Sequence, residues 1–354
     1  MRVSGPRATP DVLTFGETTV ALRGSGPLRL GGTMEVSVAG AESNVAIGLA
    51  RLGHAVRWAG AVGADEAGEL VLRTLRDEGV DVSGASVDDG GAPTGLVLAE
   101  PRPPEPARVH HHRAGSAGSR LKACSLERAF TAAPPRVLHL TGITPALSRS
   151  ARSAATMALR LAAEHSALVC LDVNFRSRLW DAEEAASVLR AWAPSVDVLI
   201  ASDDELPLCL PADAPADPAA RAQELLALGV GEVVVRLGAA GATAYGEDGS
   251  SVHAPARPVR AVDTVVAGDA FVADGAFVAD GAFVAVDTFV ADGAGDAFVA
   301  GYLSAFLDGA GTQARLDRAV TTGACAVSSR GDREGAPTRS EPALLSSPAG
   351  PVLR

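Results

Sequence analysis

Short apolar runs alternate with segments of helical periodicity along the chain, and this alternation limits the possible folds more than any other feature. The runs that predict strands lie at 11–16, 56–62, 137–140, 167–173, 196–201 and 232–237. The segments that predict helices lie at 43–52, 65–78, 148–164, 182–192 and 219–228. Alternating strands and helices form βαβ units, so we expect an α/β fold with a mostly parallel central sheet and helices on both faces.

Two segments interrupt this alternation, at about 18–38 and 94–113. The first has short exposed runs between glycine turns, and the second is a predicted hairpin whose loop holds four prolines. Central strands do not tolerate proline, because it cannot donate a ladder hydrogen bond. We therefore expect these two segments to form a small separate sheet.

Charge and cysteine spacing exclude several classes of protein. The formal net charge of −11 argues against non-specific nucleic-acid binding. No apolar run approaches the roughly 20 residues of a membrane span, and residues 1–11 lack a signal-peptide core. The cysteines are far apart and form no CxxC pair, so we expect reduced thiols without a zinc site: Cys124, Cys170, Cys209 and Cys325. A cytoplasmic enzyme or binding protein, with no nucleic-acid or membrane partner, is the resulting prediction.

A six-residue repeat occurs late in the chain. The sequence of 270–275, Ala-Phe-Val-Ala-Asp-Gly, recurs at 276–281, and partial copies follow at 282–285 and 289–293. Its period matches no heptad or solenoid repeat. We interpret residues from about 264 to 290 as an insertion produced by repeat expansion.

The strongest chemical signal follows the repeat, at Gly293-Ala294-Gly295-Asp296. The next residues, 297–307, predict a helix, so the glycines are expected at its N-terminus, where an anion can approach the backbone N–H groups. An aspartate beside such an anion hole is suited to act as a general base in phosphoryl transfer. A glycine-rich helix cap with an acidic first turn is the structural alternative.

Several motifs in the same order resemble those of the PfkB (ribokinase-like) sugar kinases, and among them the 2-keto-3-deoxygluconate kinases. The N-terminal motif is Ala-Gly-Ala-Glu-Ser-Asn-Val-Ala at 39–46, and the C-terminal one combines Asp287-Thr288 with the residues 293–296. Further similar segments lie at 113–119, 141–147, 171–176 and 329–337. The resemblance covers nearly the whole chain outside the repeat.

This resemblance implies one ribokinase-like kinase domain over 1–354, with a β-sheet lid from about 18–38 and 94–113. It implies ATP-dependent phosphorylation of the terminal (6-) hydroxyl of 2-keto-3-deoxygluconate to 2-keto-3-deoxy-6-phosphogluconate. Asp296 would be the catalytic base, and Gly293, Ala294 and Gly295 the anion hole. The lid could also form contacts in a homo-oligomer.

The resemblance also implies the binding residues. Gly40 and Asn44 would lie against the sugar acid, and Arg113 and Arg176 would bind it, which suits a carboxylate because guanidinium groups form forked hydrogen bonds. A surface charge or a helix C-terminal partner is the alternative for either arginine.

The nucleotide side is expected at four other positions. Gly238 and Gly241 resemble the turn beside ATP, and Ser202 and Glu205 stand where the family has Asn-x-x-Glu. Glu205 would help to order Mg²⁺ near the phosphates, and an acidic helix N-terminus is the alternative. The expected cofactors are ATP and Mg²⁺, with no metal site built from protein ligands alone.

Three departures from the family pattern keep other interpretations open. His110, His111 and His112 occupy a stretch that is usually rich in tyrosine, and Val97 stands where a pocket tyrosine is common. The family has one residue between Asp-Thr and Gly-Ala-Gly-Asp, but four residues separate Asp287-Thr288 from Gly293. A second candidate base, Asp269, has the family's spacing from Asp263, although Val266 replaces the first glycine. The alternatives are a kinase for a neutral sugar such as ribose or fructose, and a catalytically impaired homologue.

Overall fold

The computed structural model describes residues 9–102, 105–257, 277–279, 282–284, 288–327 and 331–341. Its strands are β1 (Val12–Phe15), β2 (Thr19–Gly24), β3 (Met34–Ala39), β4 (Val56–Ala59), β5 (Ala61–Gly63), β6 (Ser86–Asp88), β7 (Leu96–Arg102), β8 (Glu105–His112), β9 (Val137–Thr141), β10 (Leu168–Asp172), β11 (Val198–Ser202), β12 (Glu232–Arg236), β13 (Ala242–Gly246), β14 (Ser251–Ala254), β15 (Phe277–Ala279) and β16 (Ala282–Val284). Its α-helices are α1 (Ala41–Arg51), α2 (Glu66–Asp77), α3 (Ala123–Ala132), α4 (Ile143–Leu147), α5 (Arg149–Glu164), α6 (Ala182–Trp192), α7 (Pro218–Ala227), α8 (Thr288–Leu307) and α9 (Thr312–Val327).

The central sheet has eight strands in the order β14-β13-β12-β11-β10-β9-β1-β4. The strands from β4 to β12 in this order are parallel, and β13 and β14 continue the sheet antiparallel at one edge. Successive side chains point to opposite faces, so Leu13 and Leu138 pack on one side while Val12 and Val198 pack on the other. Helices α3, α5, α6 and α7 cover the first face, and α1, α2, α8 and α9 cover the second. The predicted α/β architecture is confirmed.

A separate four-stranded sheet, here called the lid sheet, consists of β2, β3, β7 and β8 in the order β3-β2-β7-β8. Small and β-branched side chains form a buried cluster within it: Ala21, Ala39, Val97, Ala99 and Val109. The two segments that interrupt the β/α alternation supply all four strands.

Other local predictions are changed by tertiary packing. The predicted strand 56–62 is interrupted at Gly60, between β4 and β5, and a side chain at Gly60 would collide with the Trp58 ring. Helix α3 was missed by the sequence analysis. Most of the predicted insertion, with the alternative base Asp269, lies outside the described residues; the short β15–β16 pair and the first residues of α8 are the parts of it that are described.

None of the helices within the described ranges combines the length and apolar character that a membrane span needs.

Candidate active site

A cavity of about 400 Å³ lies between the lid sheet and the carboxyl-terminal edge of the central sheet. Thr19, Ala39, Val97, Val109 and His111 form its lid side. The opposite side is formed by residues that follow β1 and β10 and by residues of α1 and α8. Ligands of open parallel sheets bind at this edge, so the position of the cavity is that of a substrate site.

Five residues singled out by the sequence line this one cavity: Gly40, Asn44, Arg113, Arg176 and Asp296. Gly40 directly precedes α1, and Asn44 lies in the first turn of that helix. A methyl group at Gly40 would lie 2.6 Å from the backbone carbonyl oxygen of Glu17, so the close approach of the two segments requires glycine.

Asp296 is held in the cavity wall as a buried carboxyl group. Only 1% of its surface is exposed. The side-chain amide of Asn44 donates a hydrogen bond to Oδ2 of Asp296 over 2.8 Å. A donor of this kind favours the ionised carboxylate, which is the form that can accept a proton from a substrate hydroxyl.

Helix α8 begins at Thr288, so the prediction that Gly293, Ala294 and Gly295 lie at its N-terminus is wrong. Only the first four N–H groups of a helix lack an intrahelical acceptor, and the N–H groups of 293–295 come later. The preceding residues 288–292 contain no proline or glycine that would end the helix, and the helix extends through them.

The two glycines have a packing role in this helix. A side chain at Gly293 would collide with the backbone carbonyl of Asp332. At Gly295 it would lie 2.8 Å from Nη1 of Arg236. Ala294 is buried in the core below the sheet. The Gly-Ala-Gly motif therefore lets α8 lie directly against Asp332, which lines the cavity, and against Arg236 at the end of β12.

Arg113 is oriented by a buried acid that the sequence analysis missed. Its Nη1 atom lies 3.2 Å from Oε2 of Glu17, and Oε1 of Glu17 accepts a hydrogen bond from Ser116 Oγ over 2.9 Å. Burial raises the pKa of Glu17, and the Arg113 charge and the Ser116 hydroxyl offset part of this rise. The position of Glu17, directly after the predicted strand β1, was the signal that could have identified it.

His111 and Val97 line the cavity from the lid. Partial burial, together with the positive charges of Arg113, Arg178 and Arg176, lowers the pKa of His111 to about 4. The His111 imidazole is therefore neutral at neutral pH and can both donate and accept a hydrogen bond.

Glu205 connects three segments at the carboxyl-terminal edge. Its Oε1 atom accepts from the backbone N–H of Phe175 over 2.7 Å, and Oε2 accepts from the N–H of Ser202 over 2.9 Å. Nη2 of Arg236 also donates to Oε2 over 3.2 Å. Glu205 thus fixes the loop that carries Arg176.

The four residues predicted for the nucleotide side, Ser202, Glu205, Gly238 and Gly241, do not line the cavity. Ser202 ends β11 opposite Arg236 at the end of β12, and the turn from Gly238 to Gly241 follows directly. Both glycines have positive φ angles, 55° and 100°, which side chains rarely adopt. A side chain at Gly241 would also collide with the backbone carbonyl of Ala254, so the close approach of this turn to the end of β14 requires glycine.

The residues of the site suit Mg²⁺ only when the ion is bound together with the phosphates of ATP. Within the described ranges no group of three histidine, cysteine or acidic side chains could hold a metal ion by itself. Mg²⁺ keeps several water ligands and binds with substrate phosphates plus one or two carboxylates, so the site suits Mg²⁺ delivered with ATP.

Three further charged residues of the cavity were not predicted. Asp332 accepts a hydrogen bond from Nη2 of Arg23 in lid strand β2 over 3.0 Å. Arg178 donates from Nη1 to the backbone carbonyl of Val109 in lid strand β8 over 3.0 Å. Asp332 lies inside the motif 329–337, and Arg178 lies just after the motif 171–176. Their contacts with the lid were not predictable, because they join residues far apart in the chain.

The third, Glu42, lies in the first turn of α1. Its Oε1 atom accepts hydrogen bonds from the hydroxyls of Thr141 and Thr144 over 2.6 and 2.7 Å. Burial raises the pKa of Glu42 despite these donors.

Comparison with known proteins agrees with this geometry. The pattern that defines the "pfkB family carbohydrate kinase" matches residues 9–282 and 282–339. The chain is 32% identical to a 2-dehydro-3-deoxygluconokinase of Thermoproteus tenax over 93% of this chain and 92% of that protein. Among solved structures it resembles a PfkB protein from Polaromonas sp. JS666, at 32% identity and a TM-score of 0.77 over 94% of this chain and 98% of that one. A ribokinase II from E. coli, solved with ATP and Mg²⁺, shares the fold at 23% identity and a TM-score of 0.80, over 95% and 99% of the two chains.

Proposed function

The chain belongs to the pfkB family of carbohydrate kinases and is an ATP-dependent carbohydrate kinase, and we propose that it phosphorylates the 6-hydroxyl of 2-keto-3-deoxygluconate. One observation carries the proposal: a single cavity joins the buried acid Asp296 to the two arginines Arg113 and Arg176. The arginines suit the carboxylate at one end of this sugar acid, and Asp296 suits the hydroxyl at the other end.

Asp296 acts as the base of the reaction. Its carboxylate takes the proton of the 6-hydroxyl while the hydroxyl oxygen forms a bond to the γ-phosphorus of ATP. The bond between the γ-phosphorus and the β–γ bridging oxygen breaks, and ADP leaves. Asn44 orients the carboxylate, and Gly40 allows the sugar to approach α1. Mg²⁺, bound with ATP, supplies positive charge to the phosphate oxygens.

The nucleotide lies along the edge formed by Ser202, Glu205, Gly238 and Gly241. Contact between the phosphates and the N–H groups of Gly293–Gly295 requires the first turns of α8 to open, because the helix otherwise uses these groups itself. The apolar lid residues Val97 and Val109 exclude water from the reacting centre.

The direct test measures ATP-dependent phosphorylation by the purified full-length protein with Mg²⁺. 2-Keto-3-deoxygluconate, ribose and fructose are compared at equal concentrations, and ³¹P NMR identifies the phosphorylated position. Selective formation of the 6-phosphate of the sugar acid supports the proposal. Selective turnover of ribose or fructose contradicts the substrate.

A neutral sugar is the second candidate substrate. The pairing of Arg113 with the buried Glu17 neutralises one of the two arginine charges, which favours a substrate with less negative charge. In that case ribose and fructose are better substrates of the wild type than the sugar acid is. Glu17→Gln then improves turnover of the sugar acid.

A catalytically impaired homologue is supported by a different observation, the start of α8 before the glycines. Absence of turnover for all three sugars by a folded protein that still binds ATP would favour this alternative.

We also propose a cytoplasmic protein that forms homo-oligomers through the lid. Three apolar side chains on or beside the edge strand β3 are exposed: Leu30, Met34 and Val36. Sedimentation of the wild type and of Val36→Glu tests the oligomer. A concentration-dependent dimer that the substitution dissociates supports it, and a monomer at all concentrations contradicts it.

A further inference from the structure

Arg236 joins the ends of three neighbouring parallel strands. It ends β12 with 8% of its surface exposed. Its Nη2 atom donates to Oδ1 of Asp172, at the end of β10, over 3.1 Å. The same atom donates to Oε2 of Glu205, just after β11, over 3.2 Å. The two carboxylates fix the buried guanidinium in position, and removal of Arg236 would leave two buried carboxylates without this cation.

The other end of the same guanidinium faces the helix that carries Asp296. Nη1 of Arg236 lies where a side chain at Gly295 would be, 2.8 Å from the ideal Cβ position. Glycine at 295 therefore allows a positive charge to lie against the turn of α8 that presents Asp296. Burial lowers the pKa of Arg236, but the charges of Asp172, Glu205 and Asp296 together raise it above its usual value.

The surroundings of Asp296 contain charges of both signs. Asn44 on α1 donates to it, and Arg236 on β12 lies against the preceding residue, Gly295. The remaining titratable or charged groups of the cavity are Glu17, Glu42, His111, Arg113, Arg176, Arg178 and Asp332. Asp172 and Glu205 lie on the far side of Arg236. Burial and the nearby acids favour a protonated Asp296, and Arg236 is the buried cation that opposes them from behind the helix.

We propose that Arg236 is a positioning residue that keeps the Asp296 carboxylate ionised, and so able to accept the hydroxyl proton, through the contact that Gly295 makes possible. The catalytic consequence rests on the proposed kinase function, but the charge state of Asp296 does not.

The charge state can therefore be measured without turnover. The full-length protein is labelled with ¹³C at the aspartate carboxyl carbons, Asp296→Asn identifies the resonance, and the pH is varied. In the wild type we expect Asp296 to titrate at or below the ordinary aspartate value of about 3.9, despite its burial. In Arg236→Gln we expect the titration to move up by at least about one pH unit, and in Arg236→Lys to stay near the wild-type value.

Kinetics gives the second readout. If the protein phosphorylates the sugar acid, the acid limb of the pH profile of kcat/KM moves to higher pH in Arg236→Gln, by the same number of pH units as the titration. At a pH below the limb, kcat/KM then falls about tenfold for each pH unit of this shift. Arg236→Lys restores the limb. Arg57→Gln is the matched control, since Arg57 is also a buried, ion-paired arginine, but it binds Asp81 away from the cavity.

Two results overturn the proposal. One is titration of wild-type Asp296 clearly above the ordinary aspartate value of about 3.9, which would mean that Arg236 does not offset the effect of burial. The other is a uniform loss of activity in Arg236→Gln with an unmoved acid limb and titration, which indicates a purely structural arginine. If Arg236→Gln does not fold, the wild-type titration and Gly295→Ala, which pushes the guanidinium away, decide the question. An inactive wild type with the expected titrations contradicts the kinase proposal alone.

Discussion

Asn44 and Asp296 are 252 positions apart in the chain, yet the Asn44 amide donates directly to the Asp296 carboxylate over 2.8 Å. The bond joins the first turn of α1 to α8 across the buried wall of the cavity. Replacing Asn44 by alanine removes one hydrogen-bond donor from the buried Asp296 carboxylate. We expect kcat/KM to fall about 10- to 100-fold and the acid limb of its pH profile to move to higher pH. Asn44→Gln, which keeps an amide, should recover part of the loss. An unchanged pH profile in Asn44→Ala would contradict this role.

Asp296→Asn should lower kcat by about a thousandfold or more, because the amide cannot accept the hydroxyl proton. The substitution keeps the shape of the side chain, so ATP affinity measured by calorimetry should remain nearly unchanged. Asp269→Asn is the comparison variant, since Asp269 is the other candidate base in the sequence. Loss of turnover in Asp269→Asn with normal turnover in Asp296→Asn would transfer the role to Asp269.

Arg176→Gln should raise the KM for 2-keto-3-deoxygluconate about 10- to 100-fold through loss of a charge-assisted contact with the carboxylate. Any turnover of ribose or fructose should change little. The control is Arg136→Gln, which removes a mostly exposed, weakly paired arginine before β9. Equal losses on acidic and neutral sugars would mean that Arg176 does not recognise the carboxylate.

Deletion of residues 266–292 joins Asp263-Thr264-Val265 to Gly293 and restores the family spacing Asp-Thr-x-Gly-Ala-Gly-Asp. We expect α8 then to begin near Gly293, which frees its N–H groups for the phosphates and raises kcat. Steady-state kinetics of the purified deletion variant and the wild type provide the measurement. Equal activity would show that the repeat is tolerated, and a folded but inactive variant would show that the active site needs it.

Because of His139, we expect the free energy of unfolding to decrease at acidic pH. It is fully buried in β9, and neither ring nitrogen has a hydrogen-bond partner in the described part of the chain. Burial lowers its pKa from 6.5 to about 3. Below pH 6.5 the unfolded chain binds a proton that the folded protein does not, so stability is lost as the pH falls from 6.5 towards 3. The loss should reach about 2 kcal/mol at pH 5.

Urea unfolding at pH 7.5 and pH 5 tests this prediction. His139→Leu should remove the part of the pH dependence that His139 causes, and should make the protein more stable than the wild type at pH 5. The same pH dependence in both proteins would show that His139 takes up its proton in the folded state.

The α/β architecture was predictable from the sequence, because apolar periodicity is a local property of the residues of each strand and helix. The helix predicted at 182–192 coincides with α6, and the strand predicted at 232–237 differs from β12 by one residue. Motif order also identified Gly40, Asn44, Arg113, Arg176 and Asp296, which the structure brings into one cavity.

The contacts that hold these groups and set their charge were not predictable from the sequence. The pairing of Glu17 with Arg113 and the contact of Arg236 with Gly295 join segments that are distant in the chain. Local periodicity carries no information about such contacts, because burial and electrostatics between distant residues exist only after the elements have packed together.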